Sequence, residues 1–144
     1  MRNVSLICAM TLLGWQSAAG AADYVAMSGQ ELYGRFCASC HGATGRGDGP
    51  VASSFKVEVP DLTLIARRAG GAYPRDRIER IIDGRYIIGA HGNRTMPVWG
   101  EDLSRLELGN PDAEQSTRLI IQRLAEYVWR LQKPNADTRR SSDE

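Results

Sequence analysis

Two cysteines and a histidine lie within five consecutive residues, Cys37-Ala38-Ser39-Cys40-His41. A C-x-x-C-H run is the attachment pattern of a c-type haem. Its spacing lets both thiols add to the vinyl groups on one edge of the porphyrin, and the adjacent imidazole then falls under the iron as an axial ligand. We therefore predict that Cys37 and Cys40 hold one haem covalently and that His41 ligates its iron.

Two other kinds of site share part of this pattern. A zinc site made of four cysteines needs a second pair, and the chain has only one other cysteine, Cys8. A zinc site made of two cysteines and two histidines would use His41 and His91, but His41 directly follows Cys40, which suits a tetrahedral site built from separated pairs poorly. A thioredoxin-type dithiol follows a strand, whereas this motif follows a predicted helix. Haem attachment is the favoured interpretation.

The candidate for the opposite face of the iron lies in the stretch 85–100. Met96 precedes Pro97, which biases it toward extended backbone, and a methionine ligand paired with histidine raises the potential of a c-type haem. We predict Met96 as the second axial ligand. The alternatives are ligation by His91, a core-filling role for Met96, or no sixth ligand. Met27 precedes the predicted haem helix and is badly placed for this role.

Polar side chains near Met96 are candidates for contacts with the haem propionates. Arg85 and Arg94 can make charge-assisted hydrogen bonds to a carboxylate, and Trp99 has an indole N–H to donate. The alternative is that these arginines are solvated, as we predict for the arginines between residues 67 and 80.

Four predicted helices would position these residues. Three of them show apolar residues that share one face, and the second is predicted from Asp61 before it and Gly70-Gly71 after it. Ser28 and Glu31 form a capping-box pattern that starts the first of them. The predicted helices cover residues 29–40, 62–69, 74–83 and 111–132. Glycines predict a loop at 85–100, and residues 101–110 are predicted to be a polar connection.

A glycine-rich loop is predicted to follow the haem histidine, over residues 42–60. Ligand histidines usually donate their second ring N–H to a carbonyl or carboxylate. The region of Pro50 is our candidate for the carbonyl that accepts from His41 Nδ1, and an ordinary surface turn is the alternative.

The N-terminal stretch has the pattern of an export signal. One positive side chain is followed by an apolar run over residues 4–15, which is short for a membrane span, and then by Ala19-Gly20-Ala21. We predict a signal peptide over residues 1–21, cleaved after Ala21 or Ala22, with an uncleaved membrane anchor as the alternative. Cleavage would remove Cys8 and leave a soluble periplasmic protein without stable membrane insertion.

The rest of the chain has the length of one domain, predicted at residues 24–132, with a disordered polar tail at 133–144. The whole chain has 18 basic and 17 acidic residues, so it has no charge excess that would attract nucleic acid. Lysine occurs only at Lys56 and Lys133, so electrostatic steering of a partner would depend on arginines.

The predicted domain resembles class I c-type cytochromes, in particular bacterial monohaem members. Gly29 and Tyr33 stand eight and four residues before Cys37, and Leu124 with Tyr127 matches the family's Leu-x-x-Tyr in the last helix. The main departure is extra length over residues 101–115. Other similar stretches are Asp61-Leu62-Thr63, His91-Gly92, Met96-Pro97 and Trp99-Gly100.

The resemblance implies an all-α class I cytochrome c fold, in which the first and last helices pack across each other around one covalent haem, with long loops. It also implies that the chain is a one-electron carrier with His41 and Met96 as axial ligands, rather than an enzyme. Its donor and acceptor would be periplasmic or membrane-bound redox proteins. The alternatives are a haem-bearing electron-entry subunit of a dehydrogenase or oxidase complex, and a gas-binding or catalytic haem protein with an open iron site.

Overall fold

The computed structural model describes residues 23–85, 96–106 and 110–134, and within these ranges the regular secondary structure is helical, without strands. The predicted signal peptide, His91, Arg94 and residues 135–144 of the predicted tail lie outside the described residues. Short 3₁₀ helices span Ala52–Ser54 and Leu62–Leu64. The α-helices are α1 (Gly29–Phe36), α2 (Ala38–His41), α3 (Ile65–Arg68), α4 (Arg75–Asp83), α5 (Trp99–Leu106) and α6 (Ala113–Arg130).

Helix α1 begins at the predicted capping box. The Ser28 hydroxyl accepts a hydrogen bond from the Glu31 N–H at 3.3 Å, and the Glu31 carboxylate accepts one from the Ser28 N–H at 2.8 Å. The prediction of one unbroken helix through Cys40 is wrong, because the backbone leaves helical geometry at Cys37 (φ −120°, ψ −36°) before α2 begins. Gly42, with φ of +78°, ends α2.

The core forms where α1, α4 and α5 pack against the long helix α6. The rings of Tyr33 in α1 and Tyr127 in α6 have centroids 5.1 Å apart, which places the first and last helices in contact. The predicted all-α architecture, with its first and last helices packed against each other, is therefore confirmed. The bulkiest fully buried hydrophobic side chains are Leu32, Tyr33, Leu103, Ile120 and Leu124.

Helix α5 corrects the prediction of a polar connection over residues 101–110. Its Leu103 side chain is fully buried, although the helix is otherwise rich in polar residues. Helix α6 also begins later than predicted, at Ala113 instead of Pro111, because Asn110 Oδ1 accepts a hydrogen bond from the Asp112 N–H at 2.9 Å and holds the preceding residues in a turn.

None of the described helices combines the length and the hydropathy that crossing a bilayer requires.

Candidate functional site

The backbone of the C-x-x-C-H motif is held by the loop that follows it. The last carbonyls of a helix lack partners within the helix, but here those of Cys40 and His41 accept hydrogen bonds from the N–H groups of Gly49 and Gly47 at 3.1 and 2.9 Å. A Cβ on Gly49 would lie 2.6 Å from the Cys40 carbonyl carbon, so this close return requires glycine. The loop thus fixes the end of α2 that carries the histidine.

The His41 ring is oriented by a carbonyl. Nδ1 lies 3.3 Å from the Pro60 oxygen, and because a carbonyl only accepts, Nδ1 carries the hydrogen and Nε2 keeps its lone pair for a metal. The prediction that the region of Pro50 supplies this carbonyl is therefore wrong. Pro60 lies here because the chain returns to the loop, where the Leu62 N–H donates to the Gly45 carbonyl at 2.7 Å.

Burial keeps the His41 imidazole neutral. Removal from water lowers the pKa of the ring below its ordinary value, and the hydrogen bond to Pro60, which acts in the opposite direction, does not cancel this effect. A neutral imidazole with a free Nε2 is the form that binds iron.

A cavity joins this histidine to four other predicted site residues, Cys37, Cys40, Met96 and Trp99. It has a volume of about 240 Å³ and is open to solvent on one side. Cys37, Cys40, His41 and Met96 all line it, although Met96 is far from the motif in sequence. The other lining residues are Phe36, Ser39, Phe55, Val57, Glu58, Val59, Pro60, Pro97 and Trp99.

This set of residues fits a covalently held haem. Two thiols, an imidazole with a fixed tautomer and a thioether are the groups that a c-type haem needs for attachment and ligation. The remaining lining is mostly aliphatic and aromatic, which suits the apolar faces of a porphyrin. Cys37 and Cys40 are not joined by a disulfide, so both thiols are available for attachment.

The alternative sites gain no support from the geometry. Burial, and next the nearby Cys40, raise the pKa of the Cys37 thiol to about 12, whereas reactive dithiols have a lowered pKa. Over the described ranges, no three His, Cys, Asp or Glu side chains are grouped so that they could hold a metal ion.

Met96 and Trp99 reach the cavity from the start of α5. Met96 is partly buried and packs against the core. The Trp99 ring lies with its centroid 5.3 Å from that of Phe36, the last residue of α1. The cavity wall on this side is therefore joined to the helix that leads into the haem motif.

Arg85 lies away from the cavity. Its guanidinium donates hydrogen bonds to the carboxylates of Asp83 and Glu114, and it is not among the cavity-lining residues. This placement favours a structural role over the predicted contact with a propionate. Arg94, the other predicted arginine, lies outside the described residues, as does His91.

Sequence reasoning missed one wall of the cavity, which residues 55–60 form. Phe55, Val57 and Val59 alternate with polar residues, and all three line the cavity. A period of two is typical of an extended segment with one apolar face. That pattern was the available signal, and the glycine content of the loop obscured it.

Comparison with known proteins identifies the family. A family model described as Cytochrome C oxidase, cbb3-type, subunit III matches residues 25–110, which is more than half of the chain and includes the haem motif and Met96. No curated protein and no solved structure matches the chain. The family carries covalently bound haem c and indicates an electron carrier rather than an enzyme. The chain therefore belongs to this family and is a haem-bearing electron-transfer protein with the class I c-type cytochrome fold.

Proposed function

We propose that this chain is a one-electron carrier with one haem c, attached through Cys37 and Cys40 and ligated by His41 and Met96. The observation that carries the proposal is that all four side chains line one cavity. Three of them come from the motif, and Met96 comes from a distant part of the chain, as a second axial ligand must.

Haem c, when bound in this cavity, supplies a one-electron couple between ferrous and ferric iron. The protein's part is to hold and enclose. His41 keeps its tautomer through the bond to Pro60, which also keeps the imidazole plane fixed. Met96 closes the remaining position, so small molecules do not reach the metal. Apolar walls limit water around the site and thereby influence the potential.

We also propose that the chain is exported and that residues 1–21 or 1–22 are removed. Haem c proteins of this kind exchange electrons in short encounters, and interfaces of this class are small and weak. The proposed donor and acceptor are therefore redox proteins of the periplasm or the membrane that the carrier meets transiently.

Trp99, which lines the cavity, is proposed as a residue that contacts the haem.

A second candidate is a haem-bearing electron-entry subunit of an oxidase or dehydrogenase complex. The printed description of the matching family, an oxidase subunit, favours it. The two candidates differ in assembly. A carrier sediments as a single chain in the native periplasmic extract, whereas a subunit sediments with the complex, and analytical sedimentation followed at the haem absorbance separates them.

The attachment proposal is tested with protein made in cells that mature c-type cytochromes. The intact mass should equal the chain without residues 1–21 or 1–22 plus one haem. Haem should stay with the denatured chain, and the alkaline pyridine spectrum should shift when Cys37→Ser or Cys40→Ser leaves one thioether. A redox titration should fit a single one-electron step. Haem that separates from the wild-type chain on denaturation would refute the proposal.

A further inference from the structure

Arg85 joins the end of α4 to the start of α6. Its Nε and one terminal nitrogen each donate to an Asp83 carboxylate oxygen at 2.8 Å. The terminal nitrogens also donate to the two Glu114 oxygens, at 2.8 and 3.0 Å. Both contacts are therefore bidentate, the arrangement in which arginine binds carboxylates most strongly and most specifically.

This ion-pair group lies against the first turn of α5. A Cβ on Gly100 would stand 2.5 Å from Arg85 Nε and 2.7 Å from the Asp83 carboxyl carbon, so the backbone of α5 touches the pair directly. Gly84, between Asp83 and Arg85, makes a second contact with this segment, because a Cβ there would lie 3.3 Å from the Cα of Val98. Residues 83–85 and 98–100 are thus in contact.

Met96 lies on the short stretch between these contacts and the cavity. The chain leaves α4 at Gly84 and is back in contact with that point by Val98, two residues after Met96. The position of the Met96 thioether therefore depends on how residues 98–100 are held. The groups that hold them are Asp83 and Arg85, and Glu114 ties those two residues to α6.

We propose that Asp83, Arg85 and Glu114 form a clamp that positions Met96 as an axial ligand and keeps the iron closed to other ligands. The inference rests on the proposed His41 and Met96 ligation. The three clamp residues act through the backbone of residues 98–100, so they are positioning residues. Loss of the clamp should increase the fraction of molecules in which Met96 has left the metal.

Because the Arg85–Asp83 ion pair is largely buried, its loss should disturb the residues around it. The side chains of Arg85 and Asp83 are only 23% and 12% exposed. Removing the guanidinium would leave Asp83 as a largely buried carboxylate without its cation, and such a group moves or draws in water. Gly100 is in direct contact with that carboxylate, so the disturbance falls on the turn that leads to Met96.

The test compares Arg85→Ala with Arg105→Ala in the holoprotein. Arg105 is a matched control because it also pairs with carboxylates at α5, those of Glu101 and Asp102, but on the exposed surface. The readouts are the far-red methionine–iron band of the oxidised protein, the carbon monoxide affinity of the reduced protein and the thermal midpoint. Arg85→Lys keeps the charge and loses the bidentate fork, so its band and its carbon monoxide affinity should lie between those of Arg85→Ala and the wild type.

We expect Arg85→Ala to weaken the far-red band and to raise carbon monoxide affinity about tenfold, since apparent affinity follows the open fraction. Arg105→Ala should match wild type. If Arg85→Ala does not take up haem, Glu114→Gln keeps the Arg85–Asp83 pair and should give the same change at smaller size. An unchanged band and affinity in these variants, even with a lowered thermal midpoint, would overturn the clamp alone. A wild-type protein without the band would overturn the ligation proposal first.

Discussion

Gly29 in α1 lies against the backbone of Arg123 in α6. A Cβ at Gly29 would stand 2.5 Å from the Arg123 carbonyl oxygen and 3.0 Å from Tyr127 Cβ. Backbone cannot move aside as a flexible side chain can, so Gly29→Ala should push the two helices apart. We predict a loss of about 1–3 kcal/mol in the free energy of unfolding, the usual cost of overpacking, measured by denaturant unfolding of the holoprotein.

Gly34 in the same helix is the matched control. A Cβ there would meet nothing within 4 Å. Gly34→Ala should therefore leave stability unchanged or raise it by about 0.5–1 kcal/mol, the gain from replacing a helical glycine. Equal losses from the two substitutions would show that the α1–α6 contact is not the reason for glycine at position 29.

The Tyr33 hydroxyl supports the turn that follows His41. It donates to the Gly42 carbonyl at 2.8 Å, and burial raises the pKa of the phenol above its ordinary value, so it remains a donor. That carbonyl also accepts from the Gly45 N–H at 3.1 Å, so Tyr33→Phe removes one of two hydrogen bonds and should cost about 0.5–1.5 kcal/mol. Because Gly42 follows His41 directly, the midpoint potential should also shift.

Tyr73 offers a comparison for that shift. Its hydroxyl donates to the Ala125 carbonyl, also at 2.8 Å, and it does not line the cavity. Tyr73→Phe should lower the unfolding free energy by a similar amount and leave the potential unchanged. If the two variants have the same midpoint potential, the hydrogen bond of Tyr33 does not influence the haem site.

Thr117 places a hydroxyl in the core. Its side chain is fully buried, and Oγ1 has no hydrogen-bond partner among the described residues. Thr117→Val keeps the shape and removes the unpaired group, so we predict a gain of about 1 kcal/mol in the free energy of unfolding. Thr117→Ser keeps the hydroxyl and loses a methyl group, which should cost about 0.8 kcal/mol. Thermal unfolding of both holoproteins measures these changes in stability, and a destabilised Thr117→Val variant would contradict the prediction.

Low pH should weaken the Arg85 ion pairs. Hydrogen bonds from Arg85 hold the pKa values of Asp83 and Glu114 below their ordinary range. Carboxylates with lowered pKa values stabilise the fold above their unfolded pKa, near 4, and lose that contribution as pH falls through the folded value. The stability difference between wild type and Asp83→Asn should therefore be largest near neutral pH and shrink below about pH 4. Urea midpoints at several pH values measure it, and a constant difference would contradict the assignment.

The sequence predicted those parts of the site that depend on neighbours in the chain. The attachment motif and the capping box at Ser28 follow from local spacing, and the glycine at the α1–α6 contact follows from the resemblance to class I c-type cytochromes. The carbonyl that accepts from His41 could not be predicted in this way. Pro60 lies beside the His41 ring only because the chain comes back to the loop at Gly45.

Two further differences have the same physical origin. Arg85 was predicted to face a haem carboxylate, yet it meets Glu114, 29 residues away in sequence, and charge partners at such separations leave no periodic signal. Helix α5 was missed because a single fully buried side chain, that of Leu103, anchors its polar sequence to the core. Tertiary packing decided both outcomes.

The central claim is that Met96 ligates the iron, and the absorption spectrum tests it most directly. Oxidised wild-type protein should show the weak far-red methionine–iron band, and the reduced protein should give a sharp low-spin spectrum that carbon monoxide does not change. Met96→Ala should abolish the band and admit carbon monoxide. His91→Ala and Met27→Ala should behave as wild type, since Met27 packs against the core before α1. Ready carbon monoxide binding by the wild type, or a band that survives Met96→Ala, would contradict the account.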